Sequence, residues 1–291
     1  MVDEASYQQI GVVGSGRVAR ALALGLGRHS ARPPLLYGRS PARLDAAIAQ
    51  VGRAAAATRY DTLGETCDLI AIAVSDDAIG VVIAELARAI PEGRSPFVFH
   101  VSGQSGAAML APLRARGAIT AAIHPVMTFT GDPAIEVRRM AGARFAVTGS
   151  SAEASARADL VVRLLDGVAV EIREEHRSLY HAALCHAANH LVTLLNGSSR
   201  ALTAAGVDDP RGLLAPLVRA ALENSLSRGF AALSGPLLRG DDETIHNHLI
   251  ALDSYCQEML PAYRTMAIAT LDELERSGAR AAAPALRERL A

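Results

Sequence analysis

Two polar side chains follow predicted strands at the points where those strands end, and both could assist a proton transfer. Ser102 comes directly after the apolar run Phe97–Val101. His124 ends the run Ala118–His124, and Pro125 fixes the direction in which the chain leaves. A histidine titrates near neutral pH and can give or take the proton that accompanies a hydride. We predict that His124 contacts the reacting group and that Ser102 positions it; the alternative for His124 is a ring that only bonds the backbone.

A glycine-rich turn near the N-terminus predicts the partner of such a reaction. The apolar run Gln9–Val13 leads into Gly14-x-Gly16-x-x-Ala19, and an alanine-rich helical pattern follows at once. Gly14 would permit the tight turn, Gly16 would let a pyrophosphate approach the backbone, and Ala19 would let the helix pack closely. We therefore predict a dinucleotide site, although an ordinary strand-to-helix turn is the alternative. The residues assigned to it are Gly14, Ser15, Gly16, Arg17 and Val18.

The residues after the second predicted strand indicate which dinucleotide is bound. An acid there would bond a ribose 2′-hydroxyl, whereas arginine accepts a 2′-phosphate. Arg39, Ser40 and Arg43 follow the strand, and no carboxylate occurs before Asp45. These three residues predict NADP as the cofactor; the alternative, that the arginines are solvated charges at a helix start, is stronger for Arg43. The end of a later strand, Val74 and Ser75, is expected near the cofactor as well.

The elements that must position these residues are typical of an α/β protein. Short, almost wholly apolar strands alternate with helical stretches as far as residue 172, as in a parallel sheet covered on both faces. After Glu174 only helical patterns follow. We predict a Rossmann domain over residues 1–172, doubly wound around a mostly parallel sheet, and an all-α domain for substrate binding and dimerisation over 173–291.

Composition excludes several kinds of function. The formal net charge of −1 gives no reason to expect a nucleic-acid or acidic membrane partner. All 29 basic residues are arginine, so a Schiff base on lysine and lysine as a proton donor are both excluded. Three separated cysteines suggest neither a disulfide framework nor a zinc site. With no long apolar run and no start typical of a signal peptide, we expect a cytoplasmic protein without a membrane partner.

The chain resembles the 6-phosphogluconate-dehydrogenase-like oxidoreductases, and within them a bacterial Rossmann-like family with an uncharacterised helical C-terminal domain. The resemblance rests on the glycine turn, on Arg39-Ser40, and on Asp68–Asp77. Further marks are His100-Val-Ser-Gly103, His124-Pro-Val-Met-Thr-Phe129, Tyr180-His-Ala-Ala183 with Ala188-Asn189, and Ser234–Asp241. Relatives include ketopantoate reductase, pyrroline-5-carboxylate reductase and prephenate dehydrogenase. The placement of Ser102 and His124-Pro125 is similar to that of the last of these.

The resemblance also implies roles on the long helix after residue 175. The superfamily's helix bears a lysine and, four residues later, an asparagine. Asn189 stands at the asparagine position as a substrate contact, but Cys185 replaces the lysine. Either His181 or His124 would then supply the proton, or the chemistry would differ from that of the relatives. His186 and His190 have the spacing of metal ligands, but no carboxylate flanks them, so we predict no metal site.

Together these features predict an NADP-dependent oxidoreductase that transfers hydride to a small carbonyl or imine. The model reactions are those of ketopantoate reductase and pyrroline-carboxylate reductase. Two alternatives stay open: a dehydrogenase of the prephenate type, and a protein that binds NADP without turnover. The apolar helices of the second domain, together with the resemblance, predict a homodimer.

Overall fold

The computed structural model describes residues 6–278 and 284–291, so the residues on which the signal-peptide prediction rests lie outside it. Two compact units are formed, Met1–Ala183 and Leu184–Ala291. The division therefore falls eleven residues later than the border predicted at 172. Among the described residues, no helix is both long and apolar enough to cross a membrane.

The first unit is built on one sheet of eight strands. They are β1 (Ile10–Val13), β2 (Leu35–Tyr37), β3 (Ala55–Ala56), β4 (Leu69–Ile72), β5 (Phe97–His100), β6 (Ile119–Pro125), β7 (Arg144–Gly149) and β8 (Val168–Glu171). Their spatial order is β3-β2-β1-β4-β5-β6-β7-β8. Every neighbouring pair is parallel except β6 and β7, which are antiparallel. The predicted fold class, a mostly parallel Rossmann sheet followed by helices, is confirmed.

Helices cover both faces of this sheet. They are α1 (Arg17–Gly27), α2 (Pro41–Val51), α3 (Tyr60–Thr66), α4 (Asp76–Ala89), α5 (Ala111–Arg114), α6 (Pro133–Met140), α7 (Ala152–Leu164) and α8 (Arg177–Leu184). Two separate apolar clusters result, one including Leu22, Phe99 and Val161 and the other including Ile70, Ile83 and Leu110. The inner strands β1 and β4 are buried along their whole length, which explains why they are apolar throughout rather than alternating.

The second unit contains only helices among its described residues. A π-helical turn, Cys185–Asn189, precedes α9 (His190–Ala204). The others are α10 (Pro210–Arg228), α11 (Pro236–Arg239), α12 (Asp242–Tyr255), α13 (Leu260–Arg276) and α14 (Pro284–Leu290). A third apolar core, with Ile245, Leu271 and Leu286 at its centre, joins α12, α13 and α14.

Candidate functional site

The turn between β1 and α1 has the geometry that its glycines predict. Gly14 adopts a φ of +134°, and a Cβ there would lie 2.2 Å from the carbonyl oxygen of Ala73 and 3.2 Å from the Cβ of Ala19. The Gly14 amide donates to the carbonyl of Tyr37 at 2.8 Å. The Gly14 backbone therefore lies tightly against the ends of β2 and β4, the two strands that flank β1.

Gly16 serves a different purpose at the start of α1. It is the N-cap residue, no side chain caps the helix, and its first turn carries no acid. A Cβ at Gly16 would meet nothing within 4 Å. The first amides of the helix thus face open space at the positive end of its dipole, an arrangement that suits a phosphate.

A cleft of about 1050 Å³ opens in front of this turn. All ten residues predicted to hold the dinucleotide line it: Gly14, Ser15, Gly16, Arg17, Val18, Arg39, Ser40, Arg43, Val74 and Ser75. Apolar residues that the sequence analysis did not assign complete the lining, among them Tyr37, Tyr60, Val81, Val101 and Phe129. Such a mixture of apolar walls and a few polar groups is typical of cofactor sites.

The cationic end of the cleft lies beside β2. Arg39 and Arg43 are exposed, and neither forms an ion pair within residues 6–278 and 284–291. Ser40 is the N-cap of α2, and its hydroxyl accepts from the Arg43 amide over a long 3.5 Å. That weak bond leaves the hydroxyl hydrogen of Ser40 able to donate to a ligand. Because Asp45 is the first acid after β2, a 2′-phosphate would meet cations and a hydroxyl here.

Two further cleft residues, Ser75 and Arg17, differ in the hydrogen bonds that their side chains already make. Ser75 is the N-cap of α4, but its side chain makes no capping bond. The Arg17 side chain donates to the carbonyl of Phe129 at 3.0 Å. This bond uses one of the five guanidinium N–H groups, so both the backbone amide and the side chain of Arg17 can reach a cofactor phosphate.

The two glycines provide a matched test of this cleft. Gly14→Ala should lower the free energy of unfolding by roughly 2 to 4 kcal/mol, because the new methyl strains the backbone and meets a carbonyl that cannot move away. Gly16→Ala should leave stability unchanged but weaken NADPH binding by about 10-fold, because its methyl would occupy the phosphate position. Chemical denaturation and fluorescence titration measure the two effects. Equal effects of both substitutions on stability, with no change in NADPH affinity for Gly16→Ala, would contradict this division of roles.

A second polar cluster lies at the carboxyl ends of β5 and β6. His124 of β6 is partly exposed, and its Nδ1 lies 2.7 Å from the hydroxyl of Tyr180 on α8. The two rings meet edge to face with centroids 5.8 Å apart. The loop after β5 joins this region to the cleft, because Gln104 donates to Asp76 at the start of α4 at 3.2 Å.

Protonation states in this pair follow from its surroundings. Burial, helped by the charge of Arg177 and by His181, lowers the pKa of His124 to about 4. Burial raises the pKa of Tyr180 to about 12, against an opposing effect of Arg177. Near neutral pH the histidine is therefore uncharged and the phenol keeps its proton; which of the two donates in the 2.7 Å bond depends on the imidazole tautomer. The pair contains a proton that can be passed to a substrate.

The structure also brings His181 to His124. Their rings are perpendicular with centroids 6.0 Å apart. Gly103 lies against both, since a Cβ on it would be 2.5 Å from His181 Cδ2 and 3.0 Å from His124 Nε2. Both predicted proton donors thus lie in one cluster, together with Tyr180, to which the sequence analysis gave no role.

His100 and Ser102 stabilise the loop beneath this cluster. The His100 ring is fully buried, with Nε2 2.9 Å from the Gly106 carbonyl and Nδ1 accepting from the Ser102 amide at 3.1 Å. Ser102 is buried, and its hydroxyl accepts from the Ser105 amide at 3.4 Å. Its O–H can still donate, so contact with a substrate stays a prediction for Ser102.

Burial of His100 should make folding sensitive to acid. Burial lowers the pKa of His100 to about 4 from its ordinary 6.5. Between these values only the unfolded chain binds the proton, so stability is complete above pH 6.5 and is lost as the pH falls toward 4. His100→Gln should flatten this loss by about 1.4 kcal/mol per pH unit, measured by denaturation at several pH values. His176→Gln, at an exposed histidine, is the control, and an unchanged slope in His100→Gln would refute the assignment.

Arg177, to which no motif in the sequence points, also lies in this region. It begins α8, and its side chain is only 1% exposed. Its Cζ lies 5.9 Å from the centroid of the Tyr180 ring. None of its guanidinium nitrogens has a hydrogen-bond partner within the part of the chain that the structure describes.

The remaining predicted residue, Asn189, lies in the second unit. It is exposed and ends the π-helical turn Cys185–Asn189. π-Turns occur frequently at functional sites, but a substrate contact of Asn189 stays a prediction. In the same turn His186 lies against His190, with their Nδ1 atoms 3.1 Å apart. Among the described residues no group of three or more metal-ligating side chains is found.

Family models divide the chain into two matched parts. A Rossmann-like domain matches residues 3–125, and a domain of unknown function, DUF2520, matches residues 143–270. The chain joins a Rossmann-like domain to a DUF2520 domain. This is the family layout that the resemblance predicted. A comparison with curated proteins gives no significant match.

Solved structures share the fold of this protein over nearly its whole length. A Bacteroides fragilis protein described as an NADP oxidoreductase has 19% identity and a TM-score of 0.75, covering 90% of this chain and 97% of its own. A reductive aminase from Aspergillus terreus, solved with NADPH and ethyl-5-oxohexanoate, has 18% identity and a TM-score of 0.68, covering 98% of each chain. An imine reductase from Myxococcus stipitatus, solved with NADP⁺, has 18% identity and a TM-score of 0.65, covering 97% of this chain and 99% of its own.

Proposed function

We propose that the protein is an NADP-dependent oxidoreductase that reduces a small carbonyl or imine. The observation that carries the proposal is the cleft, in which every residue predicted to hold a dinucleotide meets. Proteins of the same fold are solved with NADPH and NADP⁺, which supports the choice of cofactor. The same layout supports membership of the 6-phosphogluconate-dehydrogenase-like oxidoreductases.

The cleft fits NADP in two respects. Its glycine turn leaves an open space in front of Gly16, where a Cβ would meet nothing, and phosphates require such close approach to the backbone. Its far end carries Arg39, whose planar guanidinium suits a 2′-phosphate. When bound, NADPH supplies the hydride.

The proton is assigned to the pair of Tyr180 and His124. A reduced carbonyl or imine must gain a proton, and the relatives' lysine is absent from this chain. With its hydrogen on Nδ1, a neutral His124 donates to the Tyr180 oxygen at 2.7 Å, which leaves the phenol hydrogen to be given to the substrate; the phenolate then takes a proton back from solvent. His181, in contact with His124, completes the group as a third proton-carrying side chain. Tyr180 is therefore the proton donor of the proposal, and His124 orients it.

One experiment separates this enzyme from a protein that only binds the cofactor. NADPH consumption is followed by absorbance with a panel of 2-oxo acids, ketones, and ketones mixed with amines. Consumption that depends on an acceptor is the expected result. Tight NADPH binding with no acceptor reduced would overturn the enzymatic proposal and favour the non-catalytic alternative. Oxidation of an alcohol by NADP⁺ with no reduction of any acceptor would favour a dehydrogenase of the prephenate type.

The helical unit supports a homodimer. Helix α10 has no buried residue, although Leu213, Leu217, Leu222 and Leu226 are each 50% exposed or more. These leucines lie on two opposite sides of the helix, and exposed apolar patches of this kind mark surfaces at which proteins associate. We infer that a second copy of the chain covers α10.

The double substitution Leu217→Glu and Leu226→Glu should therefore convert the dimer to a monomer. Burying two uncompensated carboxylates costs several kcal/mol, more than most interfaces tolerate. Light scattering should give twice the chain mass for the native protein and the single chain mass for the variant. Ser227→Glu adds charge to the same helix without removing apolar surface, and it should remain dimeric. A native protein of single chain mass would refute the dimer.

A further inference from the structure

Arg177 is a buried cation without a counter-ion. Its side chain is 1% exposed, and Nε, Nη1 and Nη2 all lack a hydrogen-bond partner within the described chain. Arginine stays charged in proteins, so the group cannot escape this cost by losing a proton. An unpaired buried charge is strongly destabilising, and an orphaned polar group of this kind calls for a partner that binds there.

Glu174, the acid whose charge acts on Arg177, does not provide that partner. Glu174 lies one helical turn before Arg177, but its carboxylate accepts from the Ala108 amide at 3.2 Å and lies against Gly106. No ion pair joins Arg177 to any acid within residues 6–278 and 284–291. The guanidinium presents five donors in a planar fork, which a carboxylate matches with two parallel hydrogen bonds.

The unpaired guanidinium of Arg177 lies beside Tyr180, the proposed proton donor. Its guanidinium packs on the ring of Tyr180, whose hydroxyl bonds to His124. Tyr180 and His124 are both partly exposed, so this cluster reaches solvent. Arg177 is not among the residues that line the dinucleotide cleft, so the cofactor phosphates are not its partner.

We propose that Arg177 binds a carboxylate carried by the substrate, next to the carbon that is reduced. This inference rests on the proposed function, because it names the class of substrate that the same site takes. The substrate would be an oxo acid or an imino acid. Burial of the guanidinium excludes water from the ion pair, and neutral ketones would bind poorly because they leave the charge unpaired.

Carboxylate probes that cannot be reduced test the proposal directly. Oxamate and phenylacetate are titrated by calorimetry into the full-length protein saturated with NADP⁺, each beside its neutral amide, oxamide or phenylacetamide. At least one carboxylate should bind at least about 10-fold more tightly than its amide. Equal affinity for acid and amide, or no binding of either carboxylate, would overturn the proposal.

Two variants assign the binding to this side chain. Arg177→Met should abolish the preference for the acid, and Arg177→Lys should restore part of it because the charge remains without the fork. Arg173→Met, at an exposed arginine four residues earlier, should behave as the native protein. The assignment is overturned if folded Arg177→Met still prefers the acid over the amide. If Arg177→Met does not fold, it is overturned if Arg177→Lys keeps the full native preference.

Failure of the proposed function would look different. NADP⁺ affinity is measured first in the same calorimeter, without any carboxylate. If the native protein does not bind NADP⁺, the proposed oxidoreductase is refuted. The carboxylates are then titrated into the protein without cofactor. If the acid is still preferred over the amide in that case, Arg177 keeps its carboxylate site. If it is not, both the carboxylate site and the proposed oxidoreductase are refuted.

Discussion

Tyr180→Phe should lower kcat by about 10² to 10³-fold while leaving the affinity for NADPH unchanged. The substitution removes one oxygen, and with it both the donated proton and the 2.7 Å bond to His124. General acids contribute roughly 10² to 10⁴-fold to such reactions. Because Tyr180 does not line the dinucleotide cleft, cofactor binding should not change. Steady-state kinetics on the best acceptor from the panel, with NADPH titration by fluorescence, separates the two effects.

The controls for this prediction use other residues of the same types. Tyr255→Phe, at a tyrosine 77% exposed on α12, should retain native kinetics. His124→Gln should show a smaller loss than Tyr180→Phe, because it misorients the donor without removing it. Native kcat in Tyr180→Phe, combined with a large loss in His181→Gln, would transfer the role of donor to His181.

Arg39→Ala should weaken NADPH binding by about 50-fold and NADH binding by less than about 2-fold. A hydrogen bond to a charged group contributes about 1.5 to 3 kcal/mol, and only NADPH has the 2′-phosphate that Arg39 would bind. Ser40→Ala should have a smaller effect in the same direction. Dissociation constants of both cofactors for each variant, measured at fixed salt, test this ratio.

Surface charge alone does not explain the expected selectivity. Arg88→Ala removes an exposed arginine from α4, whose partner is Glu85, and should change neither affinity. Equal losses for NADPH and NADH in Arg39→Ala would show that Arg39 contacts the adenosine rather than its phosphate. Native selectivity in that variant would transfer the role to Arg43.

The sequence predicts most of the fold because its signals are local. Seven of the eight strands are apolar runs bounded by turns, and the glycine turn fixes the first crossover. The eighth, β3, has only two residues, Ala55 and Ala56, too few to form a pattern. The short helices α3 and α6 are not predicted from the sequence for the same reason. The Asp132 side chain caps α6 by accepting from the Ala134 and Ile135 amides, but a single cap residue does not define a helix.

The residues of the candidate site also fall into those that the sequence predicts and those that only the structure reveals. The cofactor residues follow strand ends directly, so their places in the chain predict their places in the cleft. Arg177 and Tyr180 acquire their roles only when α8 packs against β6, an approach between residues more than fifty positions apart. In the sequence Arg177 stands among other charged residues and resembles a solvated helix start. Its burial without a partner could be found only in three dimensions.

The central claim is that hydride passes from NADPH to a substrate bound by this protein. The most direct measurement supplies NADPH deuterated at the transferable C4 position and examines the products of the acceptor panel by mass spectrometry. A product that gains one deuterium with the native protein, and far less of it with Tyr180→Phe, is the result expected. NADPH that binds tightly while no acceptor gains deuterium would contradict the account.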